Sequence, residues 1–352
     1  MPFRILSVAY TFAAASPDAV GGAEQVLAAL DRALVAEGHR SLVVAAEGSD
    51  VAGQLWSFPA PHGSLLSEDD QRFTRAQLQG TLDRALASEP VDLLHMHGLD
   101  FAEYRLPRNI PVLITLHLPI AWYPQKAWSV NAQFCCVSQA QLATAPEPLR
   151  NVAVVENGVA LPPFDLSIPR EQFAIVLGRI CPEKNQHEAL EAGTRAGIPV
   201  YLAGKVFPYR EHREYFEQRI RPLLDRPNPG HRFLGPLSLE RKQHLLARAR
   251  CLLHPTLARE TSSLVAMEAL AAGTPVIAYA SGALPEIVEH GRTGFLVSSV
   301  AEMAEAVGML DRISPGECRA AAEQRFSQQR MIRGYFELYE QLIHPLRERT
   351  YA

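Results

Sequence analysis

Short apolar runs of strand length alternate with longer amphipathic stretches of helix length through the first half of the chain. The runs predict strands at residues 4–10, 41–46, 91–96, 112–117, 133–137 and 152–155, and the amphipathic stretches predict helices at residues 23–36 and 69–87. Strands that alternate with helices are typical of parallel sheets covered by helices. We therefore predict an α/β fold.

A proline-rich segment at residues 160–169 interrupts this alternation, which then begins again. The second series predicts strands at residues 174–177, 200–202, 232–234, 251–253, 276–278 and 294–297, and helices at residues 185–196, 213–224, 239–249 and 263–272. Prolines favour extended connections, so this segment is the predicted domain boundary. We expect two doubly wound domains, at residues 1–162 and 163–327, and a helix in residues 328–352 that crosses back to the first domain.

The composition is that of an ordinary globular protein, with 47% hydrophobic and 20% charged residues. No apolar run approaches the ~18 residues of a membrane-spanning helix, and the N-terminus lacks the pattern of a signal peptide. The five cysteines form no Cys-x-x-Cys motif, which favours reduced thiols. We therefore expect a cytoplasmic protein without stable membrane insertion.

The charge is unevenly distributed along the chain. The net charge is −4, and the first 164 residues carry ten Lys or Arg against sixteen Asp or Glu. An acidic first half disfavours binding to nucleic acid or anionic lipid through that half.

Two carboxylates, Glu260 and Glu268, flank a stretch of hydroxyl and apolar residues. At ~3.6 residues per turn they would lie near one face if the whole stretch were helical, with Gly273 at its end. Ser262 and Ser263 suit the start of a helix, where backbone N–H groups favour a phosphate. A buried apolar helix that carries two acids in its N-terminal half predicts a ligand site, although solvated helix charges would give a similar pattern.

Two further motifs suit phosphate groups. Gly21 and Gly22 precede the first predicted helix and could let the backbone approach a phosphate, although a flexible loop is the alternative. Arg179 and Lys184 lie in a loop after a strand, where both cations could reach one diphosphate; two solvated charges are the alternative. No Asp-x-Asp motif occurs, so no metal-bridged diphosphate is predicted.

Histidines end two neighbouring strands of the first domain. His117 closes an apolar strand at the carboxyl edge of the sheet, where open α/β sheets bind ligands, although a buried structural histidine is the alternative. His95 and His97 end the preceding strand. The three histidines could also bind zinc, but no accompanying pattern of glutamate or cysteine ligands supports such a site.

Taken together, these residues resemble glycosyltransferase family 4, the group 1 retaining glycosyltransferases, over nearly the whole chain. The matching segments are Gly21-Gly22-Ala-Glu24, His117, Cys136-Val-Ser138, Asn157-Gly158-Val159, Gly178-Arg179 with Lys184, Phe233-Leu-Gly235, Glu260 with Glu268, Gly282-Ala-Leu-Pro-Glu286 and Gly291-Arg-Thr-Gly294. The resemblance implies a GT-B fold, in which two Rossmann-like domains face each other across a cleft. It also implies transfer of a hexose from a nucleotide-sugar with retention of configuration.

The resemblance further implies which residues bind the donor. The donor and nucleotide site would comprise Gly21, Gly22, Arg179, Lys184, Gly235, Leu237, Glu260, Ser262, Ser263, Leu264 and Glu268. Arg179 and Lys184 would hold the diphosphate, and Glu268 would bind the ribose hydroxyls. Glu260 and His117 would bind hydroxyls of the donor sugar and, with the two cations, form the catalytic set. The base would lie near Gly235 and Leu237.

The implied donor is a UDP-sugar, with a GDP-sugar as the second choice, and no cofactor or divalent metal is expected. The acceptor would be a small molecule or glycan, bound by loops at residues 12–18, 59–67 and 118–128. Trp122, Tyr123 and Trp128 of the last loop could stack on it or pack beneath the loop. The alternatives are a sugar epimerase, a phosphorylase or a catalytically silent protein that binds nucleotide-sugars.

Overall fold

The computed structural model describes residues 2–59, 67–146, 152–227 and 229–350, with side chains up to residue 344. The chain forms two compact units. The first comprises Met1–Asn157 and Gln329–Ala352, and the second comprises Gly158–Gln328. The sequence prediction placed the first boundary a few residues later, between residues 162 and 163, at the proline-rich segment.

The first unit is built on a parallel sheet with the strand order β3-β2-β1-β4-β5-β6-β7. Its strands are β1 (Arg4–Val8), β2 (Arg40–Ala46), β3 (Gln54–Phe58), β4 (Leu93–Met96), β5 (Val112–Leu116), β6 (Gln133–Cys136) and β7 (Ala153–Val154). The sequence pattern missed β3, because only its last residue is buried. The helices before the domain boundary are α1 (Gly22–Ala36), α2 (Glu68–Ser88) and α3 (Gln139–Leu142).

The second unit has a parallel sheet with the strand order β10-β9-β8-β11-β12-β13. Its strands are β8 (Ala174–Leu177), β9 (Val200–Ala203), β10 (Arg232–Gly235), β11 (Cys251–His254), β12 (Val276–Tyr279) and β13 (Gly294–Val297). Its helices are α4 (Gln186–Ala196), α5 (Arg210–Tyr215), α6 (Arg221–Leu224), α7 (Leu239–Arg248), α8 (Leu264–Ala271), α9 (Leu284–Ile287), α10 (Val300–Gly308) and α11 (Pro315–Arg325). The α/β fold with two parallel sheets is therefore confirmed.

One predicted helix is irregular. The pattern predicted a continuous helix at residues 213–224, but a π-helical turn at Phe216–Ile220 separates α5 from α6. Pro222 explains the interruption, because proline has no backbone N–H to donate and its ring crowds the preceding turn.

The last helix, α12 (Gln328–Thr350), belongs to the first unit, as the apolar stripe predicted. Met331, Tyr335 and Leu338 of this stripe are buried, and Leu342 is partly buried. They share a core with residues of β1, β4 and β5. None of the helices in the described part of the chain is both long and apolar enough to cross a membrane.

Gly204, directly after β9, lets two strand ends of the second unit approach closely. Its φ of +151° is rarely adopted by residues with a side chain. A Cβ at this position would lie 1.7 Å from the carbonyl oxygen of Gly178, which follows β8. The backbone would have to move to admit any other residue, so Gly204 fixes the spacing of the two loops.

We expect Gly204→Ala to destabilise the protein by at least about 2–3 kcal/mol, because steric overlap adds to backbone strain. Gly308→Ala is the matched control, since Gly308 lies in α10 and a Cβ there meets none of the described atoms within 4 Å. Thermal unfolding of both variants measures the difference. Equal melting temperatures would contradict the role assigned to Gly204.

Candidate functional site

The strand order of the second sheet reverses between β8 and β11, which lie side by side. The connections from two such strands run to opposite sides of the sheet, and a crevice opens between them at the carboxyl edge. Gly178 and Arg179 follow β8, and Glu260 lies in the segment that follows β11. The sequence-predicted residues of this unit therefore gather at the point where ligands bind in open α/β sheets.

The loop after β8 has a defined shape. It contains a 3₁₀ turn at Pro182–Lys184 and then Asn185, whose φ of 55° is left-handed. The side-chain amide of Asn185 donates to the carbonyl of Pro255, 3.2 Å away, and so ties this loop to the segment after β11. The amide of Gln186 donates to the carbonyl of Arg179 at 2.6 Å. These bonds fix the backbone that carries the two predicted cations.

Lys184 and Glu260 form an ion pair at this edge, with both side chains largely buried. His254, the last residue of β11, places Nε2 3.6 Å from the same carboxylate oxygen of Glu260. Burial alone would raise the pKa of Glu260, but the interactions with His254 and Lys184 outweigh it and lower the pKa to about 2. Glu260 is therefore ionised at neutral pH.

Glu260 lies before the helix and not in it, which corrects the same-face hypothesis. The helix α8 spans Leu264–Ala271, with the Ser263 side chain accepting the Ala266 N–H as its N-cap. The carbonyl of Glu260 accepts the N–H of Ala283 at 2.8 Å, so another loop holds this residue in place. The two carboxylates are thus positioned by different elements.

Glu268 lies in α8, where its Oε1 accepts a hydrogen bond from Lys242 Nζ of α7 at 2.5 Å. Its other oxygen, Oε2, is buried and has no hydrogen-bond partner among the described residues. The hydroxyl of Ser262 is likewise buried and has no hydrogen-bond partner among the described residues. A buried polar atom without a partner costs about 1–3 kcal/mol, so both atoms are suited to a polar ligand.

Arg179 is more accessible than Lys184. Its guanidinium lies 3.8 Å from Glu183, and its side chain is 39% exposed. Gly235, at the end of β10, accepts the N–H of Gly204 at 2.9 Å, and Leu237 packs partly buried against the core. Both therefore lie along the same sheet edge, beyond β9.

In the first unit, Gly21 is the N-cap of α1 and Gly22 is its first residue. The Glu24 carboxylate folds back over Gly21, so closely that a Cβ added to Gly21 would lie 1.9 Å from it. Burial raises the pKa of Glu24, although its own backbone partly counters the effect. The glycines open the helix as predicted, and the first turn already contains a buried acid.

His117 directly follows β5, and its Nε2 lies 3.1 Å from Nδ1 of His97. Burial lowers the pKa of His117 to about 3 and that of His97 well below its usual range. His95 differs, since Thr115 and Tyr339 each contact one of its ring nitrogens at 2.8 Å. With both nitrogens in use, His95 has no ligand atom to offer, and the geometry disfavours the zinc alternative.

The aromatic loop expected to bind the acceptor is only partly accessible. Tyr123 is buried against Phe101 and Trp128, and its hydroxyl accepts the N–H of Leu118 at 3.3 Å. Trp122 is 54% exposed. Tyr123 therefore packs beneath the loop, and Trp122 presents an accessible ring. Most of the expected acceptor loop at residues 59–67 lies outside the described residues.

The sequence did not identify Lys242 or His254. His254 is the last residue of β11 and His117 directly follows β5, so the criterion of a polar residue at the carboxyl end of a strand would have found His254 as well. Lys242 is one of several charges on α7, and no pattern distinguishes it from its solvated neighbours. Its importance comes from α7 and α8 packing together.

Two family models match the chain in succession. Residues 163–326 match the family described as "Glycosyl transferases group 1", and residues 20–161 match "Glycosyltransferase Family 4". Both descriptions agree with the resemblance of the motifs to glycosyltransferase family 4, the group 1 glycosyltransferases.

Curated relatives cover shorter segments. A D-inositol 3-phosphate glycosyltransferase of Corynebacterium jeikeium is 36% identical over 118 residues, which is 32% of this chain and 28% of the relative. A glycogen synthase of Mycobacterium tuberculosis is 33% identical over 192 residues, 51% of this chain and 45% of the relative. The match therefore spans less than half the length of either relative.

The fold is similar to that of solved structures over nearly the whole chain. Anabaena HepE, solved in complex with UDP and glucose, superposes with a TM-score of 0.76 at 19% identity, covering 96% of this chain and 99% of that one. This likeness shows the fold alone. The two family matches together span most of the chain, which therefore belongs to the glycosyltransferases, with a family 4 N-terminal half and a group 1 C-terminal half.

Proposed function

We propose that this protein is a retaining glycosyltransferase that moves a hexose from a nucleotide-diphosphate sugar to a hydroxyl acceptor. The observation that carries the proposal is the buried Oε2 of Glu268, which has no donor among the described residues. A ribose hydroxyl would supply that donor. UDP is the preferred nucleotide, a choice supported by the UDP in the Anabaena complex, and GDP is the second choice.

Arg179 and Lys184 would bind the diphosphate. Departure of the nucleotide builds negative charge on the leaving oxygen, and cations held in place before the reaction lower that barrier. Lys184 is fixed by Glu260, and Arg179 is accessible. These two charges would do the work that a bridging metal does in other transferases, with the leaving phosphate taking the acceptor's proton.

Glu260 would accept hydrogen bonds from hydroxyls of the donor sugar. A carboxyl group with a pKa of about 2 stays ionised, so it cannot serve as a general acid near neutral pH. Its contact with Lys184 also makes it a poor covalent nucleophile, because its charge is already shared. Its role is therefore to orient the sugar and to hold Lys184.

His117 would contribute as a neutral imidazole. Its lowered pKa keeps it uncharged at neutral pH, and one nitrogen already meets His97. A neutral imidazole can bond a sugar hydroxyl without adding charge. This role is distinct from nucleotide binding, which separates the two sites experimentally.

UDP-, GDP- and ADP-sugars can be screened by thermal shift and by nucleotide release. We expect a UDP-sugar to raise the melting temperature and to release UDP. Glu268→Ala should weaken UDP binding about 10- to 100-fold in calorimetry, because a hydrogen bond to a charged group contributes about 1.5–3 kcal/mol.

2′,3′-Dideoxy-UDP is the control for the ribose contact, because it lacks both ribose hydroxyls. This analogue should bind the wild type weakly and be insensitive to Glu268→Ala, while exposed Glu240→Ala should leave UDP binding unchanged. A response to none of the sugars would contradict the donor class. Equal losses for UDP and its dideoxy analogue would contradict the ribose contact.

His117→Ala should spare UDP binding and reduce the rate of UDP release from the preferred donor, by up to ~10²-fold, as for loss of one preorganised polar contact. Exposed His344→Ala is the control. Calorimetry and single-turnover kinetics report the two effects separately. Wild-type turnover in His117→Ala would remove this residue from the catalytic set.

Glu260→Gln should remove a pH-dependent part of the stability. The pKa of Glu260 falls from 4.5 to about 2 on folding, so the ionised carboxylate stabilises the fold above about pH 4.5. This stabilisation is lost as the pH falls from 4.5 towards 2. The melting temperature of the wild type should therefore exceed that of Glu260→Gln at neutral pH, and this difference should shrink as the pH falls. Glu305→Gln, which changes an exposed glutamate, is the control and should show no such pH-dependent difference from the wild type. A difference independent of pH would refute the assignment.

A further inference from the structure

Three side chains with metal-ligating atoms meet beside the loop that carries Arg179 and Lys184. They are Cys181 and Glu183 of this loop and His212 of α5. One potential ligand atom from each, the thiol sulfur, a carboxylate oxygen and an imidazole nitrogen, lies within 4.8 Å of the others. Two residues of one turn and one of a separate helix thus converge on a common point.

The surroundings of His212 point to a ligand. The residue is only 8% exposed, and its Nδ1 is buried without a hydrogen-bond partner among the described residues. Buried imidazole nitrogens are ordinarily satisfied by protein or water. The Cys181 thiol is also buried; it lies 3.5 Å from the carbonyl oxygen of Arg179 and hydrogen-bonds to the Glu183 carboxylate, which already brings two of the three groups together. Glu183 is 36% exposed at its side chain, which leaves a route from solvent.

We propose that Cys181, Glu183 and His212 bind a zinc ion, with the fourth position open to water. Thiolate, imidazole and carboxylate are the ligands that zinc takes in proteins, whereas Mg²⁺ and Ca²⁺ require oxygen. Ligand atoms around a tetrahedral zinc lie roughly 3–4 Å apart. The observed spacing therefore needs a contraction of about an ångström, which side-chain rotation can supply. Binding releases the Cys181 proton to solvent and leaves a zinc–thiolate bond.

This zinc site is separate from the proposed diphosphate contacts. Cys181 is fully buried beneath the turn, whereas Arg179 is partly exposed beside it. Glu183 would exchange its contact with Arg179 for the metal, and an exposed pair of this kind contributes at most about 1 kcal/mol. The ion would thus brace the turn and not bridge the donor phosphates.

The test measures metal binding without any donor. Protein stripped of metal is titrated with Zn²⁺ against a chromophoric chelator, and with Co²⁺ by absorption spectroscopy. We expect one tight site in the wild type and a Co²⁺ spectrum with a thiolate charge-transfer band. Cys181→Ser should abolish the band. Both Cys181→Ser and His212→Ala should lower the affinity for Zn²⁺ at least about tenfold, because even the loss of an outer-shell partner lowers metal affinity by that factor.

Cys318→Ser is the matched control. Cys318 is a buried thiol that also contacts a backbone carbonyl, that of Thr293 at 3.6 Å, and it lies outside the cluster. This variant should bind Zn²⁺ as the wild type does. If Cys181→Ser does not fold, as judged by circular dichroism, Glu183→Gln provides the second ligand variant. Absence of tight Zn²⁺ binding to the wild type, or unchanged affinity in the folded ligand variants, would overturn the site.

Discussion

The buried ion pair between Lys184 and Glu260 is the interaction on which the candidate site of the second unit depends. It joins the loop after β8 to the segment after β11, across the point where the strand order reverses. Two buried charges are costly to desolvate, and removing one leaves the other unpaired at a cost of about 3–5 kcal/mol. His254 shares the carboxylate, so the end of β11, the segment that follows it and the loop after β8 hold each other in place.

The fold could be predicted because each element carries its own signal. Apolar strand-length runs and amphipathic helices are local patterns, and their alternation implies parallel sheets. The failures were equally local. β3 hides its strand character because only its last residue is buried, and a π-helical turn ahead of Pro222 interrupts a helix whose apolar periodicity continues across it. The division into units follows contacts and not the prolines, so it falls at Asn157 and not at residue 162.

Only part of the candidate site could be predicted from the sequence. Residue type and position in the loop after a strand predicted Arg179 and Lys184 as cations for a diphosphate, and the pair of carboxylates predicted Glu260 and Glu268 as ligand-binding groups. The contact of Glu268 with Lys242 could not be predicted, because the two residues are 26 positions apart and meet only when two helices pack. The histidines show the same limit. The three histidines at strand ends proved different: both ring nitrogens of His95 contact hydroxyl groups, those of Thr115 and Tyr339, whereas Nε2 of His117 contacts Nδ1 of His97.

The two cations of the proposed diphosphate site differ in how strongly they are held, and this difference assigns them separate tasks. Arg179 and Glu183 form a pair that is more than one-third exposed, and such pairs contribute at most about 1 kcal/mol. A diphosphate can therefore displace Glu183 from Arg179 at little cost. Lys184 is held by a buried carboxylate, so it stays where the fold has placed it. In the proposed function Lys184 would thus act as a preorganised charge, while Arg179 would be the cation that can reorient to follow the donor.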